Sequence, residues 1–146
     1  MLRVRDIMTT DIFTVAADAS AEEAAWGLTR RHIGGAPVQD KDGTITGMLS
    51  KSDLVNPEPA QWIRGEATVA DLMNPDVLML YRDDPALAAA VGMVQRDIHR
   101  VVVVDENEKM VGIVTSMDIV KAVAAGRSFD VETEDVDTAP ILVARR

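Results

Sequence analysis

The constraint that most limits this fold is a heptapeptide that occurs twice. Gly47-Met48-Leu49-Ser50-Lys51-Ser52-Asp53 is followed 65 residues later by Gly112-Ile113-Val114-Thr115-Ser116-Met117-Asp118. Both read glycine, two apolar residues, a hydroxyl residue, two variable residues and aspartate. The offset holds well beyond the motif. Sliding residues 4–55 onto 69–120 without a gap gives 16 identities in 52 positions, among them Asp6/Asp71, Met8/Met73, Gly27/Gly92 and Asp40/Asp105. About a third of the other pairs exchange one apolar residue for another. A gapless repeat of this length reads as two copies of one supersecondary unit.

Each copy has the same inner order. A short extended piece, Ile12–Val15 or Val77–Leu80, is apolar and rich in β-branched residues. A helix follows. In the first copy Ser20 is the expected N-cap, with Glu23 closing a capping box. In the second, Asp84 is the expected cap and Pro85 the first helical residue. The expected buried stripes are Ala21, Ala24, Ala25 and Leu28, then Leu87, Val91 and Val94. A β-hairpin comes next, Ala36–Gln39 with Thr44–Leu49, or Val101–Val104 with Met110–Val114. Asp42-Gly43 is a strong turn dipeptide. Val101 to Val104 is apolar throughout, which predicts a central strand covered on both faces. A second helix begins at the signature, near Lys51 or Ser116.

The expected organisation is therefore β-α-β-β-α twice: residues 1–56, a linker at 57–68, residues 69–125 and an acidic tail at 126–146. A unit of some fifty residues struggles to bury a sheet face alone, so the two are expected to pack sheet to sheet about a pseudo-two-fold axis, an α+β fold. Trp62 and Ile63 of the linker are expected to cover apolar surface. The tail reads as a flexible acidic segment, or Ile141–Val143 adds a strand or docks on a partner subunit.

Charge and composition narrow the function. A net charge of −9 opposes unspecific binding to nucleic acid, where Lys and Arg must neutralise phosphates. There is no cysteine, the apolar runs fall short of a membrane span, and Met1–Asp6 lacks a signal-peptide pattern. A cytoplasmic protein without nucleic-acid or membrane partners is expected. His32 and His99 have no evident nucleophile or metal-ligand pattern around them, and Walker and Rossmann glycine runs are absent. A non-enzyme without a metal or required cofactor is therefore expected.

The signature itself has two uses. Ser50 with Asp53, and Thr115 with Asp118, fit a helix cap, where the hydroxyl accepts an N–H and the acid faces the positive helix end. The same geometry offers N–H groups to a phosphate and a carboxylate to the paired hydroxyls of a ribose.

The ordered set of motifs resembles a tandem pair of CBS domains, a Bateman module. It comprises Val4-Arg5-Asp6-Ile7-Met8 and Val69-Ala70-Asp71-Leu72-Met73, Gly35-Ala36-Pro37-Val38-Gln39-Asp40 and Arg100-Val101-Val102-Val103-Val104-Asp105, and the two signatures, and it covers residues 4–124. The resemblance implies a regulatory module whose paired clefts take AMP, ADP, ATP or S-adenosylmethionine and which signals by repacking to a partner protein. It implies that Asp53 and Asp118 hold ribose hydroxyls and that Ser50 and Thr115 bond ribose or phosphate. It places the backbone around Thr10, Asp11 and Ile12, around Asp76 and Val77, and at Ala36, Pro37, Val101 and Val102 along the base. It further implies that His99 and Arg100 contact phosphate, and that the pair forms a disc-like homodimer. Ile33-Gly34-Gly35-Ala36-Pro37 offers no equivalent cation, so the clefts are expected to differ. The alternative is a constitutive dimerisation scaffold with empty clefts.

Overall fold

The computed structural model describes residues 1–55, 67–130 and 142–144. Its chain forms two compact α+β units, and these are not the two sequence repeats. One is built on Phe13–Val77 and carries Asp53. The other combines Met1–Ile12 with Leu78–Val143 and carries Asp118.

In the Asp53 unit, β1 (Val15–Ala16) lies parallel to β2 (Gly35–Gln39), which pairs antiparallel with β3 (Ile45–Ser50). The extended piece expected at Ile12–Val15 is thus mostly not a strand. Only Val15 and Ala16 find partners, Val38 and Gln39, and the chain passes between units at Ile12. Helix α2 (Ala21–Arg31) starts as expected, with the Glu23 N–H donating to the Ser20 hydroxyl at 3.1 Å. It ends where His32 takes a left-handed conformation. Its buried face is Ala21, Ala24 and Leu28, with Ala25 partly covered. Short helices α3 (Lys51–Leu54) and α4 (Val69–Leu72) complete the unit.

In the Asp118 unit, β4 (Val77–Tyr81, its first residue belonging to the other unit) lies parallel to β5 (Arg100–Val104), and β5 pairs antiparallel with β6 (Met110–Thr115). A fourth strand, β7 (Leu142–Ala144), lies on the free side of β4, so the end of the chain adds a strand. Val101 to Val104 are all essentially inaccessible, which matches the expected central strand. The helices are α1 (Val4–Ile7), α5 (Ala86–Arg96) and α6 (Ser116–Ala124).

Two expectations for α5 fail. Pro85, not Asp84, occupies the N-cap, and the Asp84 carboxylate instead accepts the Tyr81 N–H at 2.8 Å across the preceding turn. The buried face is Ala86, Ala88, Ala89, Gly92 and Met93, whereas Val94 is 83% exposed and Leu87 and Val91 are only partly covered. The helix is apolar nearly all round, so periodicity allows two stripes. Close approach selects the small one: a Cβ on Gly92 would meet the Leu78 side chain at 2.6 Å.

Each repeat's opening segment docks on the unit built from the other repeat. Val4 of α1 is buried in the Asp118 unit, its N–H donating to Asp84 O at 2.9 Å. Thr9 and Ile113 exchange two backbone bonds, at 2.8 and 3.0 Å. In the Asp53 unit Val69 is buried in the same way, and Asn74 and Met48 exchange two bonds at 2.9 Å each. Both bridges run beside a signature glycine. A Cβ at Gly112 would strike the Met8 side chain, and one at Gly47 would strike Met73 and the Asn74 carbonyl. Bare backbone is what lets the methionines lie against the returning strands.

Both cores are aliphatic, and no polar side chain is fully buried among the described residues. None of the described helices is long and apolar enough to cross a membrane. Trp62, Ile63 and most of the linker and tail lie outside the described residues.

Candidate functional site

The hairpin brings each signature to one end of its sheet. Gly35 lies opposite Ser50 on the neighbouring strand, and Arg100 lies opposite Thr115. Helices α3 and α6 begin at the next residue. The start of β2 or β5, the end of β3 or β6 and a helix N-terminus therefore meet in each unit.

Both signatures hold the acid against the cap residue's N–H, but only the Thr115 hydroxyl accepts an N–H; the Ser50 hydroxyl donates to the acid instead. The Ser50 N–H donates to Asp53 Oδ2 at 2.8 Å, and the Ser50 hydroxyl reaches the same oxygen at 3.0 Å. The Thr115 N–H donates to Asp118 Oδ2 at 2.9 Å, and the Asp118 N–H returns a bond to the Thr115 hydroxyl at 3.2 Å. These bonds occupy one oxygen of each carboxylate. Asp53 and Asp118 are both half-buried, open to an approaching group. The caps thus orient the acids and leave Oδ1 of each outside the cap, although at Asp118 the Thr9 hydroxyl lies 3.1 Å from it.

The exchange of opening segments decides which residues share a unit. Thr10, Asp11 and Ile12 belong with Val101, Val102, Thr115 and Asp118. Asp76 and Val77 belong with Ala36, Pro37, Ser50 and Asp53. Ala36, Pro37, Val77, Val101 and Val102 are buried, Thr10, Asp11 and Asp76 are exposed and Ile12 is half-buried. The Asp76 N–H is held by the Asn74 side chain at 3.0 Å, which fixes the turn leading into β4.

Among the described residues, only the Asp118 unit has a cation on the strand opposite its signature hydroxyl, Arg100 facing Thr115, while Lys51 within the other signature is exposed. Arg100 is half-buried, and burial lowers its pKa below the ordinary arginine value. Its guanidinium makes no ion pair among the described residues. A partly dehydrated, unpaired guanidinium is suited to an anion. His99 is exposed and supplies its carbonyl to the Ser116 N–H at 3.0 Å. The equivalent strand position in the other unit is Gly35, so the two sites differ in charge.

Two residues at the sites have no counterpart in the sequence reading. Thr9 and Asn74 occupy equivalent repeat positions and bridge to the signature strands. Neither residue type signals this, because the bridge is made by backbone. A separate cavity of about 430 Å³ lies at the other end of β5, lined by Tyr81, Arg82, Asp83, Val104 and Glu106. An Arg82–Glu106 ion pair at 3.0 Å spans it. No cluster of metal-ligating side chains occurs among the described residues.

Comparison with known proteins gives these sites a context. The CBS domain family model matches residues 4–57 and again 69–125. The CBS domain-containing protein YhcV of Bacillus subtilis is 31% identical over 119 residues, covering 82% of this chain and 84% of its own. The chain spans only 40%, 22% and 23% of the lengths of three other curated relatives, each 30% identical to it. The solved CBS domain pair of protein MJ0100, in complex with 5′-methylthioadenosine and S-adenosyl-L-methionine, has a TM-score of 0.76 at 28% identity. That match covers 87% of this chain and 99% of the other. CBSX2 in complex with AMP has a TM-score of 0.75 at 26% identity, over 86% and 98% of the two chains. With two family matches spanning nearly all the described residues, and with the α+β units those pairs contain, this chain belongs to the CBS domain family as a tandem pair.

Proposed function

We propose that the chain is a regulatory sensor of an adenosyl ligand: AMP, ADP, ATP or S-adenosylmethionine. The observation that carries this reading is the repeated carboxylate, Asp53 and Asp118. Each is oriented by a cap that leaves acceptor capacity for a ribose diol. Solved relatives with the same fold bind AMP and S-adenosylmethionine, which supports the ligand class. Ser50 and Thr115 sit beside the acids to serve ribose or phosphate, and the buried apolar residues Ala36, Pro37, Val77, Val101 and Val102 suit the face of a base. Arg100, with His99 next to it, supplies phosphate contact in the Asp118 unit alone. Phosphorylated ligands are therefore favoured there. A bound ligand shifts the conformational equilibrium by its affinity difference between states, and a partner protein reads the shift.

The module acts as a homodimer in this reading. Val94, Met117, Val120 and Val123 of α5 and α6 are all more than half exposed, an apolar helical face that a second copy would cover. The chain performs no catalysis of its own.

The test is ligand-induced thermal stabilisation, which grows as RT ln(1 + [L]/Kd), about 2.7 kcal/mol at a hundredfold excess over Kd. AMP, ADP, ATP and S-adenosylmethionine are compared on the unmodified chain, Asp53→Ala, Asp118→Ala and the double variant. The single variants should each lose part of the shift and the double variant all of it. A chain that no adenosyl compound stabilises is the scaffold alternative, and the sensor reading is then wrong.

A further inference from the structure

Each signature carboxylate accepts the N–H of its own cap residue, but the hydroxyl it accepts differs, Ser50 at Asp53 and Thr9 at Asp118. At Asp53, Oδ2 takes both bonds from Ser50, and no described residue donates to Oδ1. At Asp118, the Thr9 hydroxyl lies 3.1 Å from Oδ1 and 3.3 Å from Oδ2. Thr9 is held there by its paired backbone bonds to Ile113 on β6. Its repeat counterpart Asn74 makes the same backbone bridge to Met48, yet turns its side chain to the Asp76 N–H. One bridge thus presents a hydroxyl to the signature acid and the other does not.

We infer that Thr9 is a specificity-determining residue that competes with a ribose diol for Asp118. The inference rests on the sensor reading above. A vicinal diol bonded to a carboxylate needs two open acceptor positions. At Asp53 it finds Oδ1 without a donor among the described residues and leaves the Ser50 bonds on Oδ2 in place. At Asp118 it must displace the Thr9 hydroxyl, so a hydroxyl is exchanged for a hydroxyl and the net gain is smaller. Thr9 therefore acts as an internal mimic of the ligand's sugar. It raises the concentration at which the Asp118 unit fills, while Arg100 still selects for phosphate.

The test isolates the Asp118 unit with Asp53→Ala and compares Thr9, Thr9→Val and Thr9→Ser by titration calorimetry. The probes are AMP and S-adenosylmethionine, which both carry the diol, and their 2′-deoxy counterparts. Thr9 is exposed and its bridge is backbone, so Thr9→Val should keep the fold. Losing one hydrogen bond to a charged acceptor should tighten the diol probes by about tenfold or more. Thr9→Ser should behave as threonine, and the gain for the 2′-deoxy probes should fall below about twofold. Unchanged or weaker diol binding in Thr9→Val overturns the inference, and so does an equal gain for the 2′-deoxy probes. If the unmodified chain binds neither diol probe, this inference fails, and if it binds neither ADP nor ATP as well, the sensor reading fails with it. If it binds but the Asp53→Ala chain does not, only the assignment at Asp118 fails.

Discussion

Replacing Gly47 by alanine places a methyl group against the backbone bridge between Asn74 and Met48, two residues before Ser50. The new Cβ would collide with the Met73 thioether and lie 2.9 Å from the Asn74 carbonyl oxygen. Met73 can swing aside, although it is only 8% exposed and gives up packing when it moves. The carbonyl cannot move so easily, because it accepts the Met48 N–H and the Asn74 N–H is bonded back to Met48, each at 2.9 Å. Relieving the clash means stretching both bonds, worth roughly 1 kcal/mol each. An overpacked core gives a similar figure, about 1–3 kcal/mol. At about 2–4 °C per kcal/mol for a chain of this size, Tm should drop by about 6 °C. Gly112→Ala is the internal control. There the three nearest atoms all belong to the Met8 side chain, and Met8 is only partly buried. Its cost should be about 1 kcal/mol, or about 3 °C. Thermal unfolding followed by circular dichroism gives the ranking, and amide exchange at Met48 and Asn74 should accelerate in Gly47→Ala alone. If Gly112→Ala costs as much as Gly47→Ala, or Gly47→Ala shifts Tm by under about 1 °C, the close-approach argument is wrong.

Glu108 is held at φ 61° in the hairpin turn where the first repeat has Gly43 at φ 80°. Glu108→Gly should relieve left-handed strain of about 1–2 kcal/mol, partly offset by unfolded-chain entropy, and raise Tm by about 1–3 °C. Burial raises the Asp84 pKa above its ordinary 3.8, and this outweighs the Tyr81 N–H bond that lowers it; Asp83 raises it further. A raised acid contributes stability that is fully present below pH 3.8 and is lost as pH rises through the folded-state pKa. Asp84→Asn keeps an acceptor for the Tyr81 N–H, so it should be more stable than the parent at neutral pH. That advantage should shrink toward pH 4 in urea titrations run across the range. Val94→Glu puts a charge on the exposed apolar face of α5 and should shift the proposed dimer toward monomer in light-scattering measurements, with the circular dichroism spectrum unchanged.

Much of the fold is legible in the residues because it depends on local chemistry. Ser20 caps α2 through its own hydroxyl. Asp40 and Asp105 each accept two N–H groups from the hairpin turn that follows. Val101 to Val104 can only be an interior strand. The signature acids were also readable, since capping places Asp53 and Asp118 at a strand–helix junction whatever surrounds them. The α5 stripe was not, because a helix apolar on every side carries no periodic mark of which face meets the sheet. Asp84 misled for a related reason: an acid before a proline suits a helix cap and a tight turn equally, and the Tyr81 N–H decided between them.

The repeat alone determined that two like units exist and where each holds its carboxylate. It could not determine which opening segment serves which unit. Val4 and Val69, and Met8 and Met73, are interchangeable residues facing interchangeable glycines, so local chemistry scores either pairing alike. The chain path through Ile12 and Val77 settles it, and with it the company each acid keeps: Thr9 at Asp118, and Asn74, turned aside, in the unit of Asp53.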